Sequence, residues 1–260
     1  MDLDHLSYSS ISSYLMCPRA WRFHYIEHVT TPTSPALVFG SAFHATVEEH
    51  VKANAAADKQ PAVARQSLTE RWTWAWGNQL EKDSSVEWGT DSPEKLYNDG
   101  VRMLTHPETV ALLDGLRPLD APNAIERKVE LHVPGVPIPV IGYIDMLEAD
   151  GVPADFKTSS KSWSQDQAAG EMQPCFYLVA LNQEGYTLNP GRGFRHYVFV
   201  KTKTPQVQVW ETTRSWVELF WMFTLIREVW QAIDSGCFPP NPGTWKCSPR
   251  YCEYWGICRG

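Results

Sequence analysis

An α/β fold, with a central mixed sheet flanked by helices, is what this sequence predicts, on three observations. From Ile125 onward, "AIERKVELHV", "IPVIGYIDMLEA", "VPADFKT", "GFRHYVFVKT" and "PQVQVWET" carry β-branched and aromatic residues between Gly, Pro and Asp turns, as strands do. "SQDQAAGEMQPCFYLVALNQEGY" and "SWVELFWMFTLIREVWQAIDSG" show helical periodicity, one between those strands and one after them. The chain before Ile125 reads mostly as helix. At 260 residues and 43% hydrophobic content, one large core is affordable to bury, and a single domain over residues 1–260 is expected.

The N-terminal "SYSSISSYLMCPRAWRFHYIEHV" offers hydroxyl N-caps, then Leu15, Trp21, Phe23 and Tyr25 in the pattern of a short helix interrupted at Pro18. "TPTSPA" is a loop. "LVFGSAFHATVEEHVKANAA" predicts a helix with Phe43, Val47 and Val51 on one face and His44 beside it. Residues 54–123 are charged and helical in texture, broken at Asp/Ser/Gly clusters, and are expected to form a helical insertion over one side of the core.

A net charge of −7 argues against holding nucleic acid by a global basic field. A local strip remains open: Lys201 and Lys203 with Arg192 and Arg195. The polar, acidic start lacks an apolar leader and no apolar run is long enough to span a bilayer, so a soluble, cytoplasmic protein without membrane contact is expected. Twelve Trp are heavy usage; aromatic planes fill cores, line interfaces or stack on bases, core filling being the default.

The stretch "GYIDMLEADGVPADFKTSS" places acids at the ends of two apolar runs. A three-residue turn at Ala149, Asp150 and Gly151, with Gly151 in the left-handed conformation, sets Asp145 opposite Asp155. A two-residue Asp150-Gly151 turn would instead send the acids to opposite faces. The first register explains more, because Lys157 then shares the face of Asp155. Adjacent carboxylates repel unless a positive charge lies between them, and oxygen ligands suit magnesium or manganese. A neighbouring lysine would help position or deprotonate a water, so the set suits metal-assisted phosphodiester hydrolysis. An isolated D-x-K is more often an ordinary ion pair at a strand end.

Six cysteines without a secretory signal read as free thiols or metal ligands. Cys247, Cys252 and Cys258 have C-x4-C-x5-C spacing and need a fourth ligand; zinc and iron remain open on spacing alone. Cys175 and Cys237 read as buried thiols.

Together these segments resemble the PD-(D/E)xK nucleases in their RecB-like form, including CRISPR-associated exonucleases and the nuclease of the AddB subunit. Gly142-Tyr143-Ile144-Asp145 followed by Asp155-Phe156-Lys157-Thr158 resembles G-x-x-D then (D/E)-x-K-T, "FGSAFH" supplies a helix-borne His44, and "QPCFY" a Q-x-x-x-Y motif at Gln173 and Tyr177. "SYLMCPRAW" and "CSPRYCEYWGIC" match the split cysteine signature of iron-sulfur members. The order of these motifs is more specific than any one of them. The resemblance implies a restriction-endonuclease-like core, with metal (Mg2+ or Mn2+) held by His44, Asp145, Asp155 and the Phe156 carbonyl. It implies Lys157 as the catalytic group beside both acids, and Gln173 and Tyr177 next to substrate. A 4Fe-4S cluster on Cys17, Cys247, Cys252 and Cys258 would join residues 1–25 to 245–260, with Cys237 the next candidate for the fourth thiolate. Pro174 means the helix carrying Gln173 must kink or begin there. The function implied is a metal-dependent DNA exonuclease acting on single-stranded ends in recombination, repair or processing, with a partner protein of that kind. The alternative is a catalytically inactive nuclease-like subunit that binds DNA or protein around a metal cluster, and a zinc-stapled module is a third reading.

Overall fold

The computed structural model describes residues 3–59, 66–83, 85–188 and 191–260. The chain opens with β1 (Leu6–Ser7), α1 (Tyr8–Met16) and α2 (Pro18–Tyr25), followed by α3 (Pro35–Lys59), α4 (Leu68–Lys82), α5 (Pro93–Leu104) and α6 (Pro107–Gly115). The sheet strands β2 (Ile125–Leu131), β3 (Val140–Leu147) and β4 (Pro153–Ser159) come next, then α7 (Gln165–Gly170) and α8 (Gln173–Gln183). Strands β5 (Gly193–Val200) and β6 (Gln206–Thr213) lead to α9 (Trp216–Asp234) and a terminal α10 (Trp255–Arg259). The predicted α/β class holds.

Local chemistry accounts for the helix starts. Ser7, Ser67 and Ser215 each form a reciprocal capping box with the residue three positions on, satisfying backbone donors that a helix start leaves free. Cys17 separates α1 from α2, and Pro18 occupies the first turn of α2, where its missing N–H costs nothing. The helix expected over 164–186 is two, because Glu171 leaves the helical conformation and α8 begins at Gln173 with Pro174 in its first turn. The helical stretch expected over 54–123 is the end of α3 with α4, α5 and α6; its residues 60–65 and 84 lie outside the described residues.

The sheet has six strands in the order β1-β3-β4-β5-β6, with β2 pairing the other side of β3. β2 and β4 run antiparallel to β3, β1 runs parallel to it, and β4 runs parallel to β5. Two cores clothe the sheet. One joins Trp21, Ile144, Phe176, Phe194 and Ile226 beneath α1, α2, α8 and α9. The other joins Phe43, Val47, Val51, Trp72, Phe156 and Phe199 beneath α3 to α6. Phe43, Val47 and Val51 are buried as their periodicity predicts. Tryptophan divides between roles: Trp21 and Trp72 are fully buried, whereas Trp74, Trp216, Trp221 and Trp245 are exposed.

β3 divides one edge between two partners, Val140 and Ile141 pairing with β1 and Met146 and Leu147 with β4. Between them, backbone groups turn to side chains. The Tyr177 hydroxyl donates to the Tyr143 carbonyl, and the Phe156 N–H donates to Asp145 Oδ2 at 2.6 Å. The sheet therefore opens where Asp145 and Asp155 stand.

Candidate active site

The β3–β4 turn is the three-residue one. Val152 O accepts from Glu148 N at 2.9 Å, and Gly151, at φ 80°, occupies the left-handed position that favours glycine. Met146 pairs with Ala154, so the same register continued by one step sets Asp145 opposite Asp155. Gly142 has a packing reason: a Cβ there would lie 2.5 Å from the Phe176 ring and 3.0 Å from the Tyr177 ring. Only a residue without a side chain lets α8 approach β3 this closely.

Asp155 is 2% exposed and Asp145 9%. Lys157 Nζ lies 2.9 Å from Asp155 Oδ1 and 2.8 Å from Oδ2, and donates to Gln173 Oε1 at 2.8 Å. Gln173 Nε2 in turn donates to the Tyr177 hydroxyl at 3.0 Å, so the Q-x-x-x-Y pair buttresses the lysine. Burial works against charge on Lys157, yet Asp155 outweighs it and holds the ammonium above its usual range. Oδ2 of Asp155 is buried and makes no hydrogen bond among the described residues, the Lys157 ammonium being its ionic partner.

From the other side, α3 presents His44, whose Nδ1 is 3.6 Å from Asp145 Oδ2. Burial pushes its pKa down, with Asp155 opposing and Lys157 adding, so it favours the neutral imidazole that can ligate a cation. Burial and then Asp155 push the Asp145 carboxyl well above the ordinary carboxylate range, against the stabilising Phe156 N–H. Two buried acids with so little compensating charge, one bearing an oxygen without a hydrogen bond, beside a neutral histidine fit a divalent cation. Among the described residues no three His, Cys, Asp or Glu side chains stand close enough to form a preassembled ligand group, so binding would draw them together.

Sequence reasoning missed Glu126. The β2–β3 register sets it opposite Asp145, and there β2 turns left-handed, at φ 51°. Burial, then Asp145 and Glu48, push its carboxyl up to about 7. His44, Glu48, Glu126 and Asp145 line one open cavity of about 480 Å³. No local sequence signal marks Glu126, because its place depends on pairing between distant segments.

Of the four residues expected to form a basic strip, Lys203 is exposed, while the other three are engaged locally. Arg195 is engaged by Glu148 at 3.1 Å, Asp150 at 2.7 Å and Glu211 at 2.6 Å, and Lys201 lies over the Phe39 ring. Arg192 sits over Trp216.

At the chain ends, Cys17, Cys247, Cys252 and Cys258 border one cavity of about 380 Å³, with Arg19, Lys246 and Arg259 around it. Burial raises the Cys252 thiol, with Cys17 and Cys247 among the neighbouring groups. All four cysteines border this cavity, but among the described residues no three of their side chains stand close enough together to form a ligand group. Cys175 is buried as expected, but Cys237 is exposed and does not border this cavity. It lies just past the C-terminal end of α9, its backbone N–H donating to the Ala232 carbonyl, and its thiol is exposed, not buried as expected.

A mixed sheet that opens around two carboxylates and a lysine is the arrangement expected of a nuclease core. The sequence matches the PD-(D/E)XK nuclease superfamily over residues 5–259, and the chain belongs to that superfamily. Its fold is similar to the crystal structure of a protein from Eubacterium rectale provisionally described as an exonuclease, with TM-score 0.65 and 9% identity over 99% of this chain and 89% of that one. At that identity the likeness bears on the fold alone. The crystal structure of SSO0001 aligns at 14% identity over 97% of this chain and 93% of that one, but at TM-score 0.37 it carries no argument. No curated protein matches the sequence. Among the described residues no helix is long and apolar enough to cross a membrane.

Proposed function

We propose that the protein is a metal-dependent DNA exonuclease acting on single-stranded ends, as one domain with its first and last segments joined by a 4Fe-4S cluster. The observation that carries this reading is the opening between β3 and β4, where Asp145, Asp155 and Lys157 meet in a buried, undercompensated set. Asp145, Asp155, His44 and the Phe156 carbonyl would hold Mg2+ or Mn2+. The ion would supply charge for the phosphate and make a water more acidic. Asp145 keeps its orientation through the Phe156 N–H, and Lys157, steadied by Gln173, holds a proton-bearing amine beside the reacting atoms. Cys17, Cys247, Cys252 and Cys258 would hold the cluster, whose part is structural.

The DNA preference and the repair or recombination setting rest on the motif resemblance, and the acid-rich surface leaves phosphate contact to local groups. End-labelled single-stranded DNA incubated with Mn2+ should be shortened progressively, and chelator should stop it. Double-stranded DNA and end-blocked strands in the same assay should be poorer substrates. Retention of intact DNA under all these conditions, with binding preserved, would instead favour the inactive subunit.

A further inference from the structure

β4 and β5 pair in parallel with Asp155 beside His196, so both side chains stand on the same face of neighbouring strands. Adjacent strands lie about 4.8 Å apart, which puts an imidazole and a carboxylate so placed within reach of one another. His196 is 0% exposed, and neither Nδ1 nor Nε2 has a hydrogen-bond partner among the described residues. Its ring is held between Phe194, at 5.0 Å between centroids, and Trp163, at 5.4 Å. Such an aromatic cage would suit an apolar side chain. A buried polar group left unsatisfied is destabilising, so an imidazole here calls for a compensating role.

The facing carboxylate supplies one. Asp155 Oδ2 is also buried without a hydrogen bond, and Lys157 is its ionic partner. A lysine that assists at a phosphate must loosen its hold on Asp155, which would leave the carboxylate free to rotate just when its orientation matters. We propose that His196 is a positioning residue that acts through Asp155, an imidazole N–H donating to Asp155 Oδ2 when Lys157 turns toward the scissile phosphate. Carboxylates that bind metal are commonly fixed by such outer hydrogen bonds, whose loss weakens metal affinity by about 10–100-fold.

This inference rests on the metal-dependent nuclease reading. The test measures Mn2+ affinity by calorimetry, kcat and KM on single-stranded DNA, and metal-free Tm, for the wild type, His196→Leu and His196→Gln. His196→Leu should raise the Mn2+ Kd by about 10–100-fold and lower kcat with little change in KM, while the metal-free Tm stays level or rises. His196→Gln, which keeps an N–H donor, should recover at least about tenfold of the lost affinity. Wild-type Mn2+ affinity in His196→Leu overturns the proposal, as does a Gln variant no better than Leu. A His196→Leu protein that fails to fold assigns the imidazole to packing and also overturns it. Those results leave wild-type cleavage intact, whereas a wild type that binds no Mn2+ brings down the metal-dependent reading and this inference together.

Discussion

The backbone N–H of Phe156 donates to the carboxylate of Asp145 at 2.6 Å, so a sheet hydrogen bond is replaced by one that orients an acid. The exchange explains why β3 and β4 stop pairing just beyond Met146 and Ala154. Opening the sheet leaves the Phe156 N–H in need of an acceptor, and Asp145 provides it. Fold and site are thus one feature: the place where the strands part is the place where the acids are held.

Asp155→Ala should abolish metal-dependent cleavage, since it removes a buried carboxylate and leaves Lys157 without its ionic partner. Lys157→Ala should leave Mn2+ binding largely intact and lower kcat by about two to four orders of magnitude, the scale of a proton-transfer group. Steady-state kinetics with circular dichroism as a folding control check both. Near-wild-type turnover in either removes that residue from the chemistry.

His44 faces Asp145 across the site and tends to be neutral because of burial. His44→Ala should slow cleavage more in Mn2+ than in Mg2+, because imidazole suits the more borderline ion and magnesium prefers oxygen surroundings. Parallel assays in the two metals decide it. Unchanged rates in both would exclude the histidine.

Stability of the metal-free protein should fall as pH rises. Glu126 moves from 4.5 up to about 7, chiefly through burial, and Asp145 is raised in the same direction. A raised carboxyl pKa means that the folded state binds more protons than the unfolded state, so stability declines with pH between about 4.5 and about 7. Metal-free Tm measured across that window should drop, the drop should shrink in Glu126→Gln, and Mn2+ should restore more at pH 7 than at pH 5. A Tm that climbs steadily over the same range would contradict the assignment.

Gly142→Ala should destabilise the protein by about 1–3 kcal/mol, the usual penalty for forcing atoms into a filled core. The added methyl would meet Phe176 at 2.5 Å. Urea unfolding measures the loss, and a silent substitution would show that α8 can withdraw freely from β3.

What the sequence revealed was what short-range chemistry decides. Gly151 sets the hairpin, the hairpin sets the Asp145–Asp155 register, and the period of a strand adds Lys157. Pro174 likewise announces the start of α8 beside Gln173. The features missed depend on distant partners. β1 is two residues long, too short for any periodicity, and Glu126 and His196 reach the site only through pairing with β3 and β4. Arg195 read as part of a basic strip because its acids at 148, 150 and 211 are remote in sequence.

The chain ends offer the last test. Anaerobically purified protein should be brown and carry about four iron atoms per chain, as a cluster held by four thiolates requires. Cys17→Ser should bleach it as fully as Cys252→Ser, since both border the cavity shared with Cys247 and Cys258. Bleaching should not free the whole C-terminal segment. Asn241 donates to the Met16 carbonyl at 3.0 Å and Arg19 Nε to the Phe238 carbonyl at 2.9 Å, so the chain up to Asn241 stays docked on α1 and α2 without the cluster. Beyond it, Tyr254 is buried against Phe23 of α2, but the short turns around Cys247 and Cys252 that lead to it have little structure of their own. Limited proteolysis of the bleached variants should therefore cut after Asn241 and before the nuclease core is attacked. Colourless protein with one zinc per chain would keep the staple and replace the cofactor, while a Cys17→Ser protein with full iron content would place the fourth ligand elsewhere.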